Sequence, residues 1–196
     1  MEKEGIIKFS IKIIDNFLSF DLDRIKELNF WRTKLFELKL VGFDPIDNVG
    51  YGNLSQKLNN DNNFVITGSQ TGHIAELTLR NYSEVINFNL ESQSLSYKGT
   101  VKSSSESLTH ASLYLANSEI KYVFHIHNNK IWNYLIENNF PATSTEVTYG
   151  TKEMANEVNN LVKTNKGIIV MKGHKDGIIS YGPSAKIAGE ALINLL

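Results

Sequence analysis

The chain contains no cysteine. Disulfides, thiolate nucleophiles and cysteine-ligated zinc are excluded together, and histidine, aspartate and glutamate remain as the strong metal ligands. An excess of one charge is also missing. The 20 basic and 21 acidic side chains give a net charge of −1, with no long basic block. Nothing in that balance favours a general binder of nucleic-acid backbones. No apolar run is long enough to span a bilayer, and Met1-Glu2-Lys3-Glu4 shows no signal-peptide pattern. No nucleic-acid or membrane partner is expected, and the cytoplasm is the default location. No internal repeat or interdomain linker is visible, so the 196 residues are expected to form one domain. With 41% hydrophobic and 21% charged residues, a core of useful size is within reach.

Strand and helix periods alternate along the chain. Ile7, Phe9, Ile11 and Ile13 alternate with Lys8, Ser10 and Lys12, which predicts an N-terminal strand. Asp21 is placed to cap a helix running through Arg24 to about Leu38. Gly42 to Gly52 is rich in glycine, aspartate and asparagine and reads as a loop. Strands at about Leu54 to Leu58 and Phe64 to Ile66 flank an asparagine-rich turn, Asn59 to Asn63. Thr67 to Gly72 is a polar loop expected to lead into a helical turn. Val85 to Leu90 and Ser94 to Tyr97 read as a strand pair. A helix is predicted from the Ser104-Ser105-Glu106 region to about Ala116, and another over Ile131 to Glu137. Thr151 is a plausible cap for a helix reaching about Lys163. Two short strands, Ile168 to Met171 and Ile178 to Tyr181, precede Pro183, which is expected to open a last helix to Leu196. Interleaved strands and helices indicate an α/β or α+β arrangement around one sheet.

The run Tyr122-Val123-Phe124-His125-Ile126-His127 is apolar, aromatic and β-branched, so it reads as a strand. Side chains alternate across a strand, so His125 and His127 share one face and Ile126 takes the other. A third histidine, His174, stands between the two short C-terminal strands. Any single histidine is more often a packed core residue than a ligand. Three imidazoles converging with a fourth position open would instead suit a catalytic divalent ion, most often Zn2+.

Three polar segments accompany the histidines. Gly50-Tyr51-Gly52-Asn53-Leu54-Ser55 offers flexible backbone and side-chain donors to an anion. Ile66-Thr67-Gly68-Ser69-Gln70-Thr71-Gly72 follows a strand and offers hydroxyls and amides, but lacks the Gly-Lys-Ser/Thr of a P-loop. Taken alone, each is an ordinary turn. Ser103-Ser104-Ser105-Glu106 stands at a predicted helix start. Glu106 is there either a solvated, dipole-stabilising residue or a general acid/base beside a metal.

Taken together, the order of these motifs resembles the class II aldolase/adducin family, over roughly Gly50 to Leu196. The resemblance rests on Gly52-Asn53-Leu54-Ser55, the Ile66-Thr67 loop with Thr71-Gly72, Ser104-Ser105-Glu106 with His110 four residues on, His125-x-His127, and Gly173-His174. It implies a three-layer α/β/α fold, with a central, largely antiparallel sheet flanked by helices. It implies His125, His127 and His174 as the metal ligands and Glu106 as the carboxylate that handles the proton. Gly52, Asn53, Thr71, Gly72, Ser104 and Ser105 would bind the substrate phosphate. Residues 1–41 would be a strand-helix extension of the domain. Homotetramers with sites at subunit boundaries are expected, as in other members.

The sequence departs from the family pattern at Ser103, where proline is frequent, and in one extra residue in the Ile66 to Gly72 loop. Leu196 precedes the tail that supplies a catalytic tyrosine in some aldolases. Tyr149, otherwise a tyrosine packed at a helix start, is the candidate acid, and Glu146 is a weaker one. His110 is read as a packing residue behind the site. The implied reaction is aldolase-type cleavage of a small phosphorylated ketose through a metal-stabilised enediolate. Epimerisation or dehydration of a sugar phosphate would use the same chemistry. A non-catalytic adducin-like interaction module and a metabolite sensor are the alternatives from other classes.

Overall fold

The structure, a computed structural model, describes residues 5–58, 63–163 and 167–196. Most of the turn expected at Asn59 to Asn63 lies outside them. Ten strands are described: β1 Ser10–Asp15, β2 Gly42–Asp44, β3 Val49–Tyr51, β4 Asn53–Lys57, β5 Phe64–Thr67, β6 Tyr82–Asn89, β7 Ser94–Lys98, β8 Tyr122–His127, β9 Ile168–Val170 and β10 Gly177–Gly182. The helices are α1 Lys26–Glu37, α2 Ser107–Ala116, α3 Asn129–Glu137, α4 Lys152–Val162 and α5 Ala185–Ile193. Eight strands form one sheet in the order β1-β7-β6-β5-β4-β8-β10-β9. Every neighbouring pair in it is antiparallel except β1 with β7.

Both faces of the sheet are covered, which makes the expected three layers. On one face, Ile25 and α1, α3 and α5 bury Leu28, Leu35, Ile131, Leu135 and Leu192 against Leu54, Val65, Phe124 and Ile178. On the other, α2 and α4 bury Leu108, Met154 and Val158 against Phe64, Ile66, Val123 and Ile179. The period-two alternation of β8 explains the division. Phe124 and Ile126 enter the first core and Val123 enters the second. Burying a side chain such as Phe124 contributes about 1.5–3 kcal/mol.

Caps define the helix starts. The Thr151 hydroxyl accepts from the Met154 amide, as its sequence position suggested. Asp21 accepts from the Arg24 amide, but it opens a 3-10 turn, Leu22–Ile25, ahead of α1. Pro183 lies two positions before the last helix, because Ser184 takes the cap and accepts from Ile187.

Three expectations are corrected. Gly42 to Gly52 is not an open loop, since β2 and β3 pair as a hairpin with Gly42 opposite Tyr51 and Asp44 opposite Val49. Composition marks the turn in such a hairpin but not the pairing. The N-terminal strand starts at Ser10 rather than Ile7, and Ile13 and Ile14 are both exposed on this edge strand. No helical turn follows Thr67 to Gly72. Gly68 bridges Ser103, the chain turns tightly at Thr71, and the next helical element is the 3-10 turn Leu79–Asn81. No helix among the described residues is long and apolar enough to cross a membrane.

Candidate functional site

Strand β8 lies inside the sheet and is paired on both sides. His125 is opposite Asn53 of β4 and Ile179 of β10. The alternation brings His125 and His127 to the same face, with their Nε2 atoms 3.0 Å apart. His174 arrives from the tight connection between β9 and β10. That connection is closed by the His174 amide on Met171 O at 3.0 Å and the Gly177 amide on His174 O at 2.9 Å. A Cβ on Gly177 would stand 2.6 Å from His174 Cδ2 and 3.2 Å from His125 Cε1. Glycine there allows the two rings to approach, at 5.2 Å between centroids. Gly52 has φ +73, and a Cβ there would meet Val41 and the carbonyl of His125.

Ligand-capable nitrogens of His125, His127 and His174 all lie within 4.8 Å of one another. His125 Nδ1 lies 3.2 Å from the Ile178 carbonyl. A carbonyl only accepts, so Nδ1 carries the proton and Nε2 presents its lone pair. That lone pair faces Glu106 Oε2 at 3.0 Å, and His174 Nε2 lies 3.9 Å from Glu106 Oε1. Burial, then the neighbouring His127, holds His125 and His174 well below the usual imidazole range, and Lys8 adds to the effect at His174. Protonation is thereby disfavoured where lone pairs and a carboxylate converge. A divalent cation satisfies such a donor set, so the residues present fit the ion that three imidazoles suggest.

Glu106 sits at the N-cap of α2 and is only 4% exposed. Asn53 Nδ2 donates to its Oε2 at 2.7 Å, the same oxygen that faces His125, and so orients the carboxylate. Behind it, Ser55 Oγ lies 2.7 Å from both His110 Nδ1 and the Tyr114 hydroxyl. His110 is therefore a buried support, with burial lowering its pKa to about 3.

A pocket adjoins the histidines through Asn53 and Glu106. Gly52, Thr71, Gly72, Ser104, Ser105 and Tyr149, all singled out in the sequence, line it too. Their neighbours in the lining are Gly5, Gly50, Gly68, Ser69 and Gln70. Thr71 donates its hydroxyl to Gly68 O at 2.8 Å, so that side chain braces its own loop. Gln70 has φ +60, uncommon for a side-chain-bearing residue, and its Oε1 accepts from the Gly50 amide at 3.1 Å. The Tyr149 ring lies 4.8 Å from that of His174. Glu146 is exposed and outside the lining, so this chain does not bring it to the site.

Sequence reasoning missed three participants. Arg32 of α1 is 2% exposed and donates to Ala75 O at 2.7 Å and Thr71 O at 3.1 Å, holding the pocket loop from behind. Gln70 ties that loop to the β2–β3 hairpin. Gly5 lines the pocket. None has a local pattern that separates it from ordinary surface or helix residues.

The fold is shared with several solved structures. L-fuculose-1-phosphate aldolase from Thermus thermophilus is 17% identical, with 89% of each chain covered and a TM-score of 0.65. A sugar-phosphate aldolase from Thermotoga maritima is 15% identical over 89% of this chain and 90% of that one, with a TM-score of 0.68. The N-terminal class II aldolase domain of a conserved protein from Thermoplasma acidophilum is 19% identical over 91% and 92%, with a TM-score of 0.60. At such identities the likeness concerns the fold alone. No curated protein is similar enough in sequence to match. Residues 39–195, however, match the family model described as Class II Aldolase and Adducin N-terminal domain. The chain belongs to the class II aldolase and adducin family.

Proposed function

We propose that this protein is a zinc-dependent lyase that cleaves a small phosphorylated ketose by retro-aldol chemistry. The observation that carries the proposal is the convergence of His125, His127 and His174 within 4.8 Å, with the Glu106 carboxylate 3.0 Å from His125. An adducin-like interaction module has no use for three buried or half-buried imidazoles aimed at one another beside a carboxylate. Both sugar-phosphate aldolases named above are proteins of the same fold.

The three imidazoles would hold the ion, which when bound polarises the substrate carbonyl and offsets the charge that develops on its oxygen. Glu106 exchanges a proton with the substrate carbon. Asn53 keeps its carboxylate aimed by donating to Oε2. Tyr149, at the pocket wall beside His174, takes as the phenolate the proton released by the hydroxyl that becomes the aldehyde, and gives it back to that oxygen in the condensing direction. The amides and hydroxyls of Gly52, Gly72, Ser104 and Ser105 hold the phosphate, which fixes the distance from anchor to reacting carbon.

The test is metal analysis of the purified protein, followed by a screen of phosphorylated pentoses, hexoses and deoxyketoses for release of dihydroxyacetone phosphate. About one zinc per chain and turnover of at least one sugar phosphate are expected, with both lost in His125→Ala. Full metal content in His125→Ala overturns the metal site. Inert sugar phosphates across the screen overturn the lyase.

A further inference from the structure

The pocket lining contains a carboxylate, Glu106, but no lysine, arginine or histidine among the described residues. A phosphate dianion entering it would meet neutral donors and a negative group. Lys8 is not part of that lining but packs on Tyr149, which is. Lys8 is half-buried, with its ammonium 4.0 Å from the centre of the Tyr149 ring. It donates to Tyr149 O at 2.9 Å and to Thr148 Oγ1 at 3.3 Å. A π-face and a carbonyl dipole both favour a positive charge there.

The segment that delivers Lys8 forms a strap that touches the pocket at Gly5. Gly5 lines the pocket and lies against the Gln70 side chain. The Ile6 amide donates to the Tyr149 hydroxyl at 3.2 Å. Phe9 is buried in the α2/α4 core, and the Ser10 amide on Gln93 O at 2.8 Å starts the pairing of β1 with β7. The strap is thus anchored at both ends of Lys8. It lies wholly before the region that matches the family, residues 39–195.

We propose that Lys8 is a specificity-determining residue of this site, the cation that selects a phosphorylated substrate over a neutral polyol. The assignment rests on the phosphate-bearing substrate of the lyase reading.

The experiment compares zinc-loaded wild type, Lys8→Met and Lys8→Arg. Inorganic phosphate binding is measured by calorimetry at low and high salt, beside zinc content and Tm. Lys8→Met is expected to weaken phosphate binding roughly tenfold and to flatten its salt dependence, with zinc content unchanged. Lys8→Arg should bind within about threefold of wild type. For a sugar phosphate that is turned over, KM should rise in Lys8→Met while kcat stays within about twofold. Wild-type phosphate affinity in Lys8→Met overturns the assignment and leaves the lyase standing. A loss shared by both variants together with a lower Tm shows a structural clip and also overturns it. Wild type that binds no phosphate removes the phosphate-bearing substrate itself, and the role of Lys8 with it.

Discussion

Glu106 Oε2 and His125 Nε2 meet at 3.0 Å, and both side chains are almost sealed from water. A carboxylate that only helped hold an ion would be dispensable for chemistry. One that moves a proton is not. Glu106→Gln keeps the shape and removes the charge. The variant should retain about one zinc per chain by metal analysis, while turnover of the sugar phosphate falls at least ~100-fold. Turnover within a few-fold of wild type would transfer the proton to another group.

Arg32 connects α1 to the pocket loop through Thr71 O and Ala75 O. Arg32→Met fills similar space but leaves the buried Thr71 carbonyl without that donor, at a cost of roughly 1–3 kcal/mol. At this chain length that lowers Tm by about 2–10 °C in calorimetry. Phosphate affinity should fall with it, and zinc content should not change. Undisturbed phosphate binding would show that the loop holds its shape without the guanidinium.

The third expected outcome concerns acid. Burial pushes His110 down to about 3, whereas the unfolded chain takes up this proton near the ordinary ~6.5. Between these values the unfolded state binds more protons, so stability falls as pH drops through about 6.5 toward 3 and is flat above that window. His110→Gln removes this contribution. Urea unfolding of metal-stripped protein at pH 7 and pH 5 should show wild type losing about 2 kcal/mol more than the variant. Equal losses would mean that His110 accepts a proton within the fold.

How much of this was legible follows from the range of each interaction. The shared face of His125 and His127 is a local property of a strand, and so was readable, as was Ile126 on the other side. His174 was named through the order of motifs, not through any local period. Its arrival beside His125 depends on the turn from Met171 to Gly177 and on β9 and β10 pairing. The lining residues from Gly52 to Ser105 came through the order of motifs, not through any one of them. The β2–β3 hairpin, the grip of Arg32 on the loop and the place of Lys8 over Tyr149 join residues 5 to 141 positions apart. No local periodicity encodes such contacts.

Strand β8 is paired with β10 from Tyr122 to His127 and with β4 from Tyr122 to His125, whereas of the strap from Gly5 to Phe9 only Phe9 is buried. The strand that carries His125 and His127 is therefore expected to open late, and the leading segment early. Heritable variation in the leading segment can remodel which molecules are admitted without loosening a single imidazole.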